Sequence, residues 1–226
     1  SRKRTFEREK IKRQVAELEL KAVESQMNPH FVFNSLNSIK YYLTVNNIAM
    51  ADRCLDHLSK LLRDFLEHGA HDFISAGKEA EILNSYLELE KQRINPPFDF
   101  NIQLPAELSD VKIPTHLLQP LVENAVKHGI SHSSHKGLLI VKFQQSDGNI
   151  RLIVEDNGIG RARAAGISRA LGTSKGLAIV KEKIRLVKEL YNIAIIFTIS
   201  DLTNNNNVPS GTRVELIIPI NQGRKI

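Results

Sequence analysis

The sequence predicts an α+β chain in two parts: a helical hairpin with a coiled-coil lead-in over residues 1–72, and a separate domain with an antiparallel-rich sheet over residues 73–226. Three observations carry this. As far as Phe65, apolar residues recur at alternating spacings of four and three, the period of helices that bury one stripe. From Phe98 onwards the period falls to two, the signature of half-buried strands. Between the two regimes lies Glu67-His68-Gly69-Ala70-His71-Asp72, where a glycine can stop a helix.

Residues 5–25 hold a narrow seam of Ile11, Val15, Leu18, Ala22 and Ser25, which suits a short parallel coiled coil. The next step of the series lands on Pro29, inside Gln26-Met27-Asn28-Pro29-His30-Phe31-Val32-Phe33-Asn34-Ser35-Leu36-Asn37. Within a helix, proline removes a backbone donor and costs about 3 kcal/mol. Two readings stay open. Asn28 caps a new helix with Pro29 in its first position, or one helix runs through with a kink, which the unbroken spacing favours. Beyond Pro29, Val32, Leu36, Ile39 and Leu43 share one face while His30, Asn34, Asn37 and Tyr41 share another, so His30 is expected to face water or a partner. A bend is expected over residues 41–47, then a second helix with the seam Ala51, Leu55, Leu58, Leu62 and Phe65. Two such helices cannot bury both stripes alone, so the hairpin is expected to dimerise into a four-helix bundle.

Residues 76–94 read as another helix, ended by Asn95-Pro96-Pro97. Strands are expected at 98–104, 138–145, 150–155, 194–200 and 212–219, with Ser146-Asp147-Gly148-Asn149 as a hairpin turn. Helical patterns at 115–128 and 175–191 are interleaved, and Asn204-Asn205-Asn206-Asn207 reads as a polar loop.

Composition narrows the class. A hydrophobic content of 42% with 25% charged residues excludes wholesale disorder. No apolar run approaches the ~20 residues that span a bilayer, and no signal-peptide pattern is present. The single cysteine, Cys54, allows neither an internal disulfide nor a cysteine-based zinc site. His57, His68 and His71 are not accompanied by the carboxylate pattern of a metal centre. The net charge of +6 is crowded at the start, in Arg2, Lys3, Arg4, Arg8, Lys10, Lys12 and Arg13. Such a cluster is a solvated helix face or meets anionic lipid, and with no groove-reading motif beside it nucleic acid is not an expected partner. Because the chain opens with Ser1, it is expected to be a fragment with a membrane segment upstream.

Four pieces carry chemistry. In the helix from Thr115, Leu117, Leu118, Leu121, Val122, Ala125 and Val126 make an apolar face, which leaves Glu123, Asn124, Lys127 and His128 on the other side, before Gly129. This mixture offers an amide able to ligate Mg²⁺ and a lysine able to reach phosphate oxygens. Next, Val154-Glu155-Asp156-Asn157-Gly158-Ile159-Gly160 sets a carboxylate at a strand end, able to accept from an exocyclic amine, ahead of a loop whose backbone can approach a ligand. A tight turn is the plain alternative for Asp-x-Gly-x-Gly. Gly172-Thr173-Ser174-Lys175-Gly176-Leu177 then opens a helix, where free N–H groups and the dipole favour phosphate. Residues 161–171 between them are small or basic and read as a lid or a solvated loop.

Each piece is common singly. In this order, with Gly211-Thr212 entering the last strand, they resemble the ATP-binding domain of the gyrase, Hsp90, histidine kinase and MutL superfamily, a Bergerat-type α/β sandwich. The stretch Leu118-Gln119-Pro120-Leu121-Val122-Glu123-Asn124-Ala125-Val126-Lys127-His128-Gly129, together with residues 26–34, narrows the resemblance to sensor histidine kinases of the LytS/YehU type, over nearly everything from Lys21 to Ile220. The resemblance implies a two-component kinase core that uses ATP and Mg²⁺. His30 would be the phosphoacceptor. Asn124 would hold Mg²⁺, and Lys127 and His128 would line the phosphate and ribose side. Asp156 would bind the adenine amine, with Gly158 and Gly160 shaping that wall. Gly172, Gly176 and Leu177 would match the second glycine box, and Thr212 would lie behind the adenine. It also implies a homodimer, a response-regulator receiver domain as partner and a place as the cytoplasmic domain of an inner-membrane protein. The alternative is a nucleotide-binding scaffold without autokinase activity.

Three departures from the family pattern stand out. The second box lacks a middle glycine, Phe31 stands where many histidine kinases carry an acid after the histidine, and Pro120 stands where ATP-hydrolysing relatives keep a water-activating glutamate. Without that base, transfer to an imidazole is favoured over hydrolysis.

Overall fold

A computed structural model describes residues 7, 11, 29–68, 71–161, 164, 175–204 and 208–220. Most of the coiled-coil lead-in, Asn28, Gly69, Gly172 and the lid segment from Ala165 onwards lie outside the described residues. The chain divides into two compact units, Ser1–Asp72 with Asn84–Arg93, and Phe73–Leu83 with Ile94–Ile226. The expected boundary after Asp72 is therefore crossed once, because residues 84–93 cluster with the N-terminal unit.

In the first unit, helix α1 (Pro29–Thr44) and helix α2 (Ile48–His68) form a hairpin. The bend is tighter than the sequence suggests, since α1 runs on to Thr44. Asn46 takes the left-handed conformation at φ 60°, and the Asn47 side chain accepts the Met50 N–H at 3.2 Å, capping α2. Val32, Leu36 and Ile39 of α1 and Ala51, Leu55, Leu58 and Leu62 of α2 are buried, as their spacing predicts, and Cys54 and Leu61 join them. Tyr86 adds an aromatic contact, its ring centroid 4.9 Å from that of Phe31.

In the second unit, strand β1 (Phe73–Ser75) leads into helix α3 (Ala76–Lys91), whose Lys78 N–H donates to the Ser75 hydroxyl. β1 pairs antiparallel with β3 (Lys112–Pro114), two three-residue strands too short to show a period. The main sheet has the order β2-β4-β5-β7-β6, built from β2 (Asp99–Gln103), β4 (Leu138–Ser146), β5 (Asn149–Asp156), β6 (Ile196–Thr203) and β7 (Pro209–Pro219). Only the β2–β4 pair is parallel. Asp147 and Gly148 both have positive φ, as a two-residue hairpin between β4 and β5 requires.

Register stacks the inward residues of three strands in rows: Val141, Val154 and Val214, then Phe143, Leu152 and Leu216. Helices α4 (Gln119–Asn124) and α5 (Lys175–Tyr191) pack together, with Leu121 and Val122 of α4 and Val180 and Val187 of α5 buried. The helix expected over 115–128 is replaced by three pieces: a turn at 115–118, α4, and a π-turn at Ala125–Gly129. Pro120 explains the late start, since proline is tolerated only in the first turn and here occupies it.

Candidate functional site

The site begins with strand register. Ile150, Leu152 and Val154 point into the core, so period two turns Asp156 the same way. Its row is Leu139, Asp156 and Thr212, the end row of the buried face. Asp156 is only 5% exposed, and burial pushes its pKa up to about 6, against the pull of the Gly158 and Thr212 backbone N–H groups. Gly158 N–H donates to its Oδ1 at 2.8 Å. A buried carboxylate held mainly by backbone donors is costly, and such groups mark sites where a ligand donor belongs.

Glycines let the backbone close in around Asp156. A Cβ on Gly158 would lie 2.2 Å from the carbonyl carbon of Gly129, and one on Gly211 would lie 1.9 Å from the Asp156 carbonyl oxygen. A Cβ on Gly129 would meet the Asp156 carboxylate at 2.6 Å. The loop after Asp156 thus runs against the π-turn, and the Ile159 N–H donates to the Gly129 carbonyl at 3.2 Å. Gly160 has φ 75° beside Pro209. Asn157 closes the opposite side, its side-chain oxygen accepting the Leu138 N–H at 2.6 Å.

A second cluster sits where α4 meets α5. A Cβ on Gly176, in the first turn of α5, would lie 2.7 Å from both the oxygen and the nitrogen of the Asn124 side-chain amide. On the same side of α4, Glu123 accepts from Gln119 at 3.2 Å and pairs with Lys127 at 3.1 Å. His128, half-buried, has its pKa lowered by burial and then by His132 and Lys127.

The fold therefore gathers Asp156, Gly158, Gly160 and Thr212 at one strand end, and Asn124 with Gly176 at the helix ends. Thr212 takes part through its backbone N–H. Lys127, expected to line the phosphate and ribose side, is paired with Glu123. Leu177 is half-buried in the first turn of α5. Gly172 falls outside the described residues, and so does the side chain of His30, whose backbone is helical at the start of α1.

Sequence reasoning passed over two features. Glu79 is fully buried in α3 and accepts the N–H groups of His116 at 3.0 Å and Leu118 at 3.1 Å. The signal was available, because a charged residue stands on the apolar stripe with Ala76, Ile82 and Leu83. The other is a carboxylate set beside one of the three histidines: Asp64, Glu67 and His68 bring one ligand atom each within 4.8 Å of one another on the last turn of α2.

Comparison with known proteins adds the following. Residues 18–98 match the family described as histidine kinase, and residues 109–222, half of the chain, match histidine kinase-, DNA gyrase B- and HSP90-like ATPase. The chain is 35% identical over 155 residues to sensor protein LytS of Oceanobacillus iheyensis, covering 69% of this chain and 26% of the relative. It is 33% identical over 169 residues to sensor histidine kinase BtsS of Escherichia coli, covering 75% of this chain and 28% of the relative. The chain thus spans about a quarter of the length of these curated relatives. Among solved structures, a mycobacterial sensor histidine kinase, MprB, aligns at a TM-score of 0.47 and 17% identity, over 66% of this chain and 97% of that one.

Proposed function

The chain belongs to the sensor histidine kinases of the LytS/YehU type, and from that premise we propose that it is the kinase core of a two-component sensor. It binds ATP around Asp156, transfers the γ-phosphoryl group to His30, and passes it on to an aspartate of a response-regulator receiver domain. The observation that carries this reading is Asp156, a carboxylate turned into the core by register, whose bonded donors are the backbone groups of Gly158 and Thr212. An exocyclic amine is the donor such a carboxylate can accept from, and the glycines at 129, 158 and 211 let the backbone close tightly about it and hold it in place.

The residues present also fit a magnesium ion. Asn124 offers a hard amide oxygen at the first turn of α5, in space that a side chain at Gly176 would fill. Bound there, magnesium would neutralise charge on the triphosphate. Lys127 then shares its charge between Glu123 and the phosphates, while the N-terminus of α5 adds free N–H donors. Phosphoryl transfer asks mainly for positioning and charge neutralisation. A neutral imidazole nitrogen of His30 attacks the γ-phosphorus in line, the bond to the bridging oxygen breaks, and ADP leaves.

Dimerisation through the hairpin is part of this reading. Phe33 and Tyr41 of α1 and Val45 just after it are 50%, 62% and 51% exposed, and with Asn37 they stand four residues apart in a stripe that a second copy would cover. Among the described residues no helix is long and apolar enough to cross a membrane. The reading makes this chain the cytoplasmic part of a membrane sensor, in keeping with relatives named as sensors.

Incubation with ATP labelled at its γ-phosphate tests the proposal. The expected label is acid-labile and base-stable, and is absent from His30→Gln and Asp156→Asn. ATP uptake without any label on His30 would overturn the kinase reading and leave a nucleotide-binding scaffold.

A further inference from the structure

Nothing in the kinase reading uses Glu79, although it lies fully buried on the apolar stripe of α3. A carboxylate in such a place is tolerated only when its oxygens are hydrogen-bonded or paired. Here Oε2 accepts the His116 N–H and Oε1 accepts the Leu118 N–H, with the Gln119 N–H also in reach. These donors belong to the turn that leads into α4, so that turn is held by a residue 37 to 39 positions upstream.

Lys183 completes the arrangement from α5. Its ammonium donates to the Thr115 carbonyl, and its charge faces Glu79. The turn at 115–118 is thus held between a carboxylate from α3 and an ammonium from α5. Lys183 also stands two turns along α5 from Gly176, whose bare Cα meets the Asn124 amide. A carboxyl from α3 and an ammonium from α5 thus hold between them the turn that leads into α4, next to the helix whose first turn carries Gly176.

We propose that Glu79, with Lys183, is a positioning residue for the phosphate side of the nucleotide site, fixing α4 against α5 and so the reach of Asn124 and Lys127. This rests on the nucleotide reading above. Glu79 touches no ligand. Its effect is expected to fall mainly on the phosphate side, because β5, β7 and the Gly158 N–H hold Asp156 and α4 reaches it only through Gly129 at the end of the π-turn.

Calorimetry at pH 8 on the full chain compares Mg-ATP with adenosine in the wild type, Glu79→Gln, Lys183→Met and Asp156→Asn. Circular dichroism first establishes that each variant is folded, and Lys183→Met decides the matter if Glu79→Gln is not. Both positioning variants are expected to weaken Mg-ATP by about tenfold, the loss of one charge-assisted hydrogen bond, and adenosine by less than about twofold. Folded variants that weaken both ligands equally, or neither, overturn the proposal. The nucleotide reading fails in a different way: the wild type then takes up no adenosine, or Asp156→Asn takes up as much as the wild type, and the role of Glu79 falls with it.

Discussion

Asp156 sets a pH limit on its own chemistry. An exocyclic amine needs the ionised carboxylate as acceptor, yet burial has moved its pKa up to about 6. Adenosine affinity is therefore expected to fall about tenfold per pH unit below that value and to be flat above it, a profile that calorimetry can trace. Stability runs the other way. The folded state holds the proton more tightly than the unfolded chain, whose carboxyl titrates near 3.8, so this stabilisation is complete below that value and lost as pH rises through about 6. Asp156→Asn removes the penalty, and its melting temperature relative to wild type is expected to rise across this window while adenosine binding disappears. Gly158 makes a further test. A methyl group there collides with the Gly129 backbone, and Gly158→Ala is expected to destabilise the second unit by about 1–3 kcal/mol in urea denaturation.

Among the elements, the β4–β5 hairpin and α4 show how far local rules reach. Gly148 sits at φ 76° with open space around its Cα, so Gly148→Ala carries only a backbone cost. About 1 kcal/mol is expected, and a larger loss in urea denaturation would mean that the turn is doing more than reversing the chain. The helix from Thr115 is different. Its apolar spacing persists through Val126, but Pro120 cannot sit in an interior turn, and the N–H groups of His116 and Leu118 in the turn before it are met by Glu79. Periodicity records which faces are apolar and says nothing of where a distant carboxylate caps a helix. The strands at 73–75 and 112–114 were missed for a related reason: three residues hold one alternation and no more.

For the molecule as a whole, the exposed stripe on α1 is the feature with the clearest consequence. Replacing Phe33 and Tyr41 together by serine is expected to weaken self-association by at least about tenfold in sedimentation equilibrium, since each aromatic buries a large apolar area on docking. A dimer of unchanged affinity would place the interface elsewhere. The two-unit division also carries a lesson about boundaries. The break at Gly69 is visible in the sequence, but residues 84–93 cluster with the first unit, where the Tyr86 ring meets Phe31, a preference no local pattern encodes.

Hairpin helices, the five main strands, the tight turn at Asp147-Gly148 and the order of the chemical motifs could all be read from spacing and residue type, because each rests on neighbours a few positions apart. The burial of Asp156, the crowding of Gly129, Gly158 and Gly211 about it, the meeting of Gly176 with Asn124 and the capping by Glu79 could not. They arise when strand register and helix packing bring together residues from 27 to 55 positions apart, and such closure depends on the whole core rather than on any stretch of it.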